Sequence, residues 1–357
     1  MEICAVLGHH PEDTPGGAEF QSFLICKELA ARGHDTHYVA YNSGAAGTSQ
    51  EQGVLVHRLS KSDSKIDTVS ELRSIDADVY YFRNIHDVPL LSLTRLLADG
   101  KTIFNISHDS QCSKILDFSD VRKKQSRVLS TLKQCRGAMN RALLWCPHKL
   151  FVQTAHQQET LANNRGIDSE IIGNGHPVPE TVGPKSDPPE VLWLASLKRW
   201  KHPEHFIEVA DRCEDLDCQF TLVGRPSDEN LLETVESKVA EIDNLQYLGG
   251  CTPAESNELI ERASIFVSTS TGEGFPNTFI QSWLRKTPVL SLSFDPDNVL
   301  ERFDTGRVSG NIDRLESDVR ELVENEELRY RMGDAARAYA TENHSIELIV
   351  DRFEEAI

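Results

Sequence analysis

Along this 357-residue chain, apolar residues gather in short runs separated by amphipathic stretches, the pattern of strands alternating with helices. Glu2–Leu7 reads as a first strand, and the glycine-bearing loop HHPEDTPGGAE follows it. Apolar positions then recur at helical spacing over roughly Phe20–Arg32, and Gly33 ends that stretch. His37–Ala40 starts the next strand, so the chain opens as strand, helix, strand, the mark of a parallel sheet. Further strands are expected at Val54–Leu59, Val79–Phe82, Thr102–Ile106, Leu150–Thr154 and Glu170–Ile172, with a helix over Gln157–Asn163.

The run NGHPVPETVGPKSDPPE is rich in Pro and Gly and is the clearest composition shift, which places a linker at 174–190. A second series begins at Val191: the strand VLWLA, the basic loop SLKRWKHPE, a helix over His205–Arg212, then strands ending at Phe220–Gly224 and Gln246–Gly249. Within Ala263–Leu292, Ile265, Phe266 and Val267 form a strand and Ser268–Gly274 a polar loop. Phe279, Ile280, Trp283 and Leu284 then recur at helical spacing from Pro276, which suits a first turn, to Pro288, which stops the helix. SFDPDNVLERF reads as a loop, and helices are expected over Asp318–Glu324, Glu326–Thr341 and Ile346–Glu355. The expected organisation is an N-terminal domain at 1–173, the linker, a C-terminal domain at 191–341, and a final helix at 342–357 able to pack back on the first domain. The length also favours about two domains.

Composition narrows the function. The chain carries 37 basic and 56 acidic residues, a formal charge of −19, which argues against nucleic acid as a partner. The same acidity suits either a high-salt habitat or an ordinary acidic protein. No apolar run approaches the roughly 20 residues that cross a bilayer. MEICAVLGHH reads as a buried strand rather than a leader, and the eight cysteines show no zinc-type pairing, so a cytoplasmic protein with reduced thiols is expected. No G-x-G-x-x-G follows the first strand, which counts against a dinucleotide-dependent dehydrogenase.

The helix that begins near Pro276 offers an anion seat, because its first N–H groups and positive dipole end are joined by Glu273 just ahead of it and by Asn277 and Gln281 on one face. The run EGFPNTFIQ resembles the sugar-nucleotide signature of the GT-B retaining glycosyltransferases, family 4, in which a Glu is followed by seven residues and a second Glu. Glu273 matches the first acid, at the donor sugar's hydroxyls. Gln281 stands in the place of the second, which commonly holds the ribose, and its amide offers an acceptor and donors instead of two acceptors. Gly274, Phe275, Pro276 and Thr278 lie inside the same signature and are implied to touch the donor. The resemblance extends to Gly16 and Gly17, ahead of Glu19, as a first-loop Gly-Gly-x-Glu approached by donor phosphate; an ordinary turn is the plainer reading. His108, at the end of a strand, matches a family histidine near the reacting sugar, and a capping histidine is its alternative. In SLKRWKHPE, Lys201 matches a lysine that grips the donor diphosphate. Ser196 stands where an arginine is common, so the resemblance implies that Lys198 or Arg199 takes that arginine's part; a solvated basic loop is the alternative.

The resemblance implies an α/β protein that is GT-B-like, with two Rossmann-like domains facing across a cleft, and a metal-independent retaining transferase using a UDP- or GDP-sugar without another cofactor. Catalytic roles fall to His108 and Glu273. The Asp-x-Asp pairs Asp76 with Asp78, Asp215 with Asp217 and Asp295 with Asp297 are read as non-metal. A non-catalytic sugar-nucleotide or glycan-binding protein of the same fold stays open, and so does an epimerase or phosphorylase. The expected acceptor is a glycan or a lipid-linked glycan. Val121–Gln158 holds eight basic residues and no acidic one. Val128, Leu132, Cys135, Met139 and Leu143 give it an apolar stripe, and Leu144 and Trp145 close it. Such a helix either lies on an anionic membrane surface, which would make the protein peripheral at the inner face of the cell membrane, or packs its stripe into the domain core.

Overall fold

The computed structural model describes residues 1–14, 16–112, 139–140, 142–226 and 229–357. The chain forms two units, one of residues 1–175 with 346–357 and the other of residues 176–345.

In the first unit, strands β1 (Glu2–Leu7), β2 (Asp35–Ser43), β3 (Gly47–Glu51), β4 (Val54–Ser60), β5 (Val79–Phe82), β6 (Lys101–Asn105), β7 (Lys149–Val152) and β8 (Glu170–Ile171) form one sheet. Their order is β3-β4-β2-β1-β5-β6-β7-β8, with only β3 antiparallel to its neighbour among the described strands. Alternation along β1 feeds two cores. Ile3, Ala5 and Leu7 pack with the helix Gly17–Ala31 and the last helix, Ile346–Ala356, whereas Cys4 and Val6 pack with the helices Lys65–Ile75 and Val88–Leu97. The last helix is fixed there by Ile346, Ile349, Val350 and Phe353, all buried, and by Arg32, which donates to Asp351 and Glu354 at 2.6 Å each.

The second unit contains β9 (Glu190–Leu194), β10 (Gln219–Val223), β11 (Leu245–Tyr247), β12 (Ile265–Ser268), β13 (Val289–Ser291) and β14 (Gly306–Val308). These are parallel throughout, in the order β11-β10-β9-β12-β13-β14. Strand order reverses between β9 and β12, as it does between β1 and β5 in the first unit. Such reversals open crevices at the carboxyl ends of the strands, where ligands of open α/β sheets bind.

Several boundaries differ from the sequence expectation. The first helix starts at Gly17, because its N-cap, Gly16, leaves room for Glu19: a Cβ there would lie 2.1 Å from the Glu19 carboxylate. Residues 176–190, expected to be linker, belong to the second unit. Lys185 Nζ donates to Glu261 O, Arg285 O and Thr287 Oγ1 at 2.9, 2.7 and 2.6 Å, and Gly183 N to Glu261 Oε1 at 2.6 Å. The helix Glu326–His344 continues past the expected end at 341, because Ala336, Ala340 and His344 are buried, and the last helix begins at Ile346, where its apolar pattern predicts. Inside the expected loop after Leu292, Val299–Arg302 forms a single helical turn.

Candidate functional site

The reversal in the second unit places two loops side by side, one after β9 and one after β12. The first runs through the exposed residues Ser196, Lys198 and Arg199 into a short 3₁₀ turn, Arg199–Lys201. The second, Thr269–Pro276, leads into the helix Asn277–Leu284. Thr269 fastens them together: its hydroxyl accepts from Trp193 Nε1 at 2.9 Å and donates to Lys201 O at 2.6 Å. Gly224, at the end of β10, completes the crowding, since a Cβ there would lie 1.9 Å from Ala195 O.

Across this junction Lys201 Nζ hydrogen-bonds and ion-pairs with the Glu273 carboxylate, and it sits 4.3 Å from the centre of the Trp200 ring. Both side chains of the pair are mostly buried. Burial, with Lys198 adding, pulls the Lys201 ammonium down to about 7, while the adjoining carboxylate favours its charged form. Lys201 and Glu273, 72 positions apart, are thus brought together, whereas Ser196 stays exposed and makes no part of the pair.

The helix that follows begins without a side-chain cap, Pro276 occupying the cap position. Its first turn therefore retains the partial positive charge that attracts anions. Gly274 and Phe275 are buried and Thr278 half-buried. Phe275 packs on Trp283 and His344, with ring centres 6.0 and 4.4 Å apart, and this packing fixes where Glu273 leaves the loop. Asn277 Oδ1 lies 3.4 Å from His176 Nε2. Complete burial lowers the His176 imidazole to about 3, so the ring is neutral near pH 7. Gln281 is only 6% exposed, and its amide donates to Asn257 Oδ1 at 3.1 Å. A ribose held there would share that amide with Asn257.

In the first unit, Gly16 and Gly17 open the first helix after β1, again without a side-chain cap. His108 follows β6, and its Nδ1 accepts from Ser110 N at 3.1 Å and lies 2.9 Å from Ser110 Oγ. That contact ties the ring to the turn that follows β6.

Each Asp-x-Asp pair has at least one member with a local structural contact. Asp295 accepts from Leu300 N at 3.0 Å, Asp76 closes a helix, and Asp215 pairs with Arg320 at 2.8 Å. The seven described cysteines are free thiols. Sequence reasoning passed over Thr269, Trp200 and His176. Only the packing of the two loops joins the first two to the site, and His176 lies in a Pro-rich run that reads as a spacer.

Residues 178–339 match the family model described as glycosyl transferases group 1. Glycosyltransferase 1 domain-containing protein 1 of Xenopus tropicalis is 23% identical over 167 residues, 46% of this chain and 48% of that protein, so the match spans about half of its length. Among solved structures, Anabaena HepE in complex with UDP and glucose has a TM-score of 0.77 at 16% identity, over 100% of this chain and 99% of that one. Sucrose-phosphate synthase of Thermosynechococcus elongatus gives 0.75 at 14% identity, over 99% and 98%. TarM of S. aureus gives 0.64 at 20%, over 80% of this chain and 57% of that one. The chain therefore has the GT-B type of fold, two Rossmann-like domains, and its second domain resembles glycosyltransferases in sequence as well.

Proposed function

We propose that the protein is a retaining glycosyltransferase that moves a sugar from a UDP- or GDP-sugar to an acceptor hydroxyl without a metal ion, in the assembly of a surface glycan, glycolipid or lipid-linked glycan. The observation that carries this reading is the Lys201–Glu273 pair at the strand-order reversal of the second unit, directly ahead of a helix without a side-chain cap. A nucleoside diphosphate leaving group gains negative charge as the bond from the anomeric carbon to its phosphate oxygen breaks. Lys201 and the helix end stabilise that charge. The anomeric carbon becomes cationic, and the Glu273 carboxylate favours it electrostatically. The acceptor oxygen then bonds to the anomeric carbon on the face the diphosphate leaves, and its proton passes to the departing phosphate. This route needs no separate pair of catalytic carboxylates.

In this reading Gly274, Phe275, Pro276, Asn277, Thr278 and Gln281 shape the donor's sugar and ribose positions, with Ser196 at the diphosphate's edge. Gly16 and Gly17 are proposed to approach donor phosphate, and His108 is proposed as a catalytic residue. HepE, solved with UDP and with UDP-glucose, supports UDP as the nucleotide to try first. A panel of UDP- and GDP-sugars tests the reading by thermal stabilisation and by release of free nucleoside diphosphate. One donor should both stabilise the protein and be turned over. Stabilisation without release, whatever acceptor is supplied, would leave a sugar-nucleotide-binding protein instead.

The basic stretch Val121–Gln158 lies outside the described residues for 121–138 and 141. Of the apolar residues at its end, Leu144 is buried in the first unit's core and Trp145 is 55% exposed. Among the described residues no helix is long and apolar enough to cross a membrane. A peripheral association of this stretch with anionic lipid, near a lipid-linked acceptor, is part of the proposal.

A further inference from the structure

We propose that the first unit contains an oxyanion-binding subsite built on Arg83, which takes a phosphate or carboxylate group of a ligand. Arg83 directly follows β5, so it stands at the carboxyl end of the strand pair β1–β5, where this sheet reverses its order. Its side chain is fully buried. Nη1 donates to Tyr81 Oη at 3.1 Å and Nη2 to Asn174 Oδ1, while Nε, also buried, has no hydrogen-bond partner among the described residues. Among the described residues no carboxylate pairs with it.

Among the described residues Arg83 has neutral acceptors, as does Arg329, whose Nη1 donates to Leu322 O and Val323 O; Arg83 differs from it in being fully buried and in standing at a strand's carboxyl end. Arg32, Arg58, Arg212, Arg307 and Arg320 each hold at least one carboxylate. Among the described residues Arg83 holds none. Both of its acceptors are neutral, and both are shared. Tyr81 Oη also takes Asn105 Nδ2 at 3.0 Å, and Asn174 Oδ1 also takes Gln153 Nε2 at 3.1 Å. Keeping a guanidinium out of water without a counter-charge costs folding stability. An arriving oxyanion would relieve that cost, and the planar fork of arginine suits its geometry.

The neighbourhood is also laid out for an anion. The residue after Asn174, Gly175, exchanges two hydrogen bonds with Gln21, each 3.0 Å, so the Asn174 segment is tied to the helix Gly17–Ala31 near its start. That helix has no side-chain cap, and its positive end lies at the same carboxyl edge of the sheet. An anion enters by displacing the Asn174 carboxamide from Nη2, and Gln153 keeps its bond to that carboxamide. The subsite stands independently of the sugar-transfer reading and survives or falls without it.

The test is thermal unfolding of the Lys201→Ala protein, which lacks the diphosphate position of the other unit, in 20 mM inorganic phosphate or acetate against chloride at equal ionic strength. For a dissociation constant of about 1 mM, one of the two anions should raise Tm by about 3 °C, and adding Arg83→Met should abolish that increment. Phosphate also stabilises proteins by general exclusion, so the difference between the two proteins is the readout. Equal increments in both, or no increment with either anion, would overturn the subsite. Should Arg83→Met not fold, the Arg83 Nε–H resonance, assigned through Arg83→Lys, decides. A saturable shift with phosphate or acetate supports the subsite, and an unmoved resonance rejects it.

Discussion

Lys201 is held between opposed demands. Burial and Lys198 lower its ammonium to about 7, while Glu273 and an arriving diphosphate both favour the charged form. A group that is partly neutral before binding and fully charged after it takes up a proton. Calorimetric titration with UDP in buffers of different ionisation enthalpy should therefore show little uptake at pH 6 and close to one proton at pH 8. Zero uptake across that range would mean that Lys201 does not meet the diphosphate, or that its proton is never lost. Lys201 and Glu273 were legible from local motifs because each sits in a loop whose flanking residues carry a recognisable pattern. The bond between them was not, since it depends on β9 and β12 being neighbours. Thr269 was invisible for the same reason: a hydroxyl in a polar loop carries no period, and only the fold gives it Trp193 and Lys201 as partners.

At the scale of elements, strands buried on both faces announced themselves. Glu2–Leu7 and Val79–Phe82 lie where their apolar runs predict. β3, with the sequence GTSQE, did not, because an edge strand paired on one side needs no apolar residue. β14 is three residues long and pairs only with β13, too short for a pattern. Proline and glycine made 174–190 look like a spacer, yet most of it is docked on the second unit, where hydrogen bonds donated by Gly183 and Lys185 to Glu261 replace strand pairing. His176 starts this docked run, next to the helix Asn277–Leu284. Its folded value, about 3, lies below the ordinary 6.5 of an imidazole, so the native state binds fewer protons than the unfolded one. Its contribution is thus present above pH 6.5 and is lost as pH falls toward 3, amounting to about 2 kcal/mol between pH 7 and pH 5. Denaturant titrations of the second unit at these two pH values should show this loss, and His176→Gln should shrink it. An identical pH response in the variant would remove His176 as the cause.

For the whole molecule, the net charge of −19 sets a repulsive background for any anionic partner, so sites for anions must be local and built. The basic stretch Val121–Gln158 is the largest exception along the sequence. Each well-placed Lys or Arg at an anionic lipid surface contributes about 1 kcal/mol. Co-sedimentation with vesicles should accordingly require anionic lipid, weaken as salt rises, and fall when Lys123, Lys124 and Arg127 are changed to Gln; no binding at low salt would favour a soluble acceptor. The claim that the molecule transfers sugar rests on the carboxylate at the loop after β12. The most direct measurement is steady-state turnover of the donor found in the UDP- and GDP-sugar panel, for wild type and Glu273→Gln, each with and without saturating EDTA. The account predicts a fall in kcat on the order of 10²-fold or more in the variant, with unfolding behaviour unchanged and no effect of EDTA on the wild type. Near-normal turnover in Glu273→Gln, or wild-type activity that EDTA abolishes and magnesium or manganese restores, would contradict it.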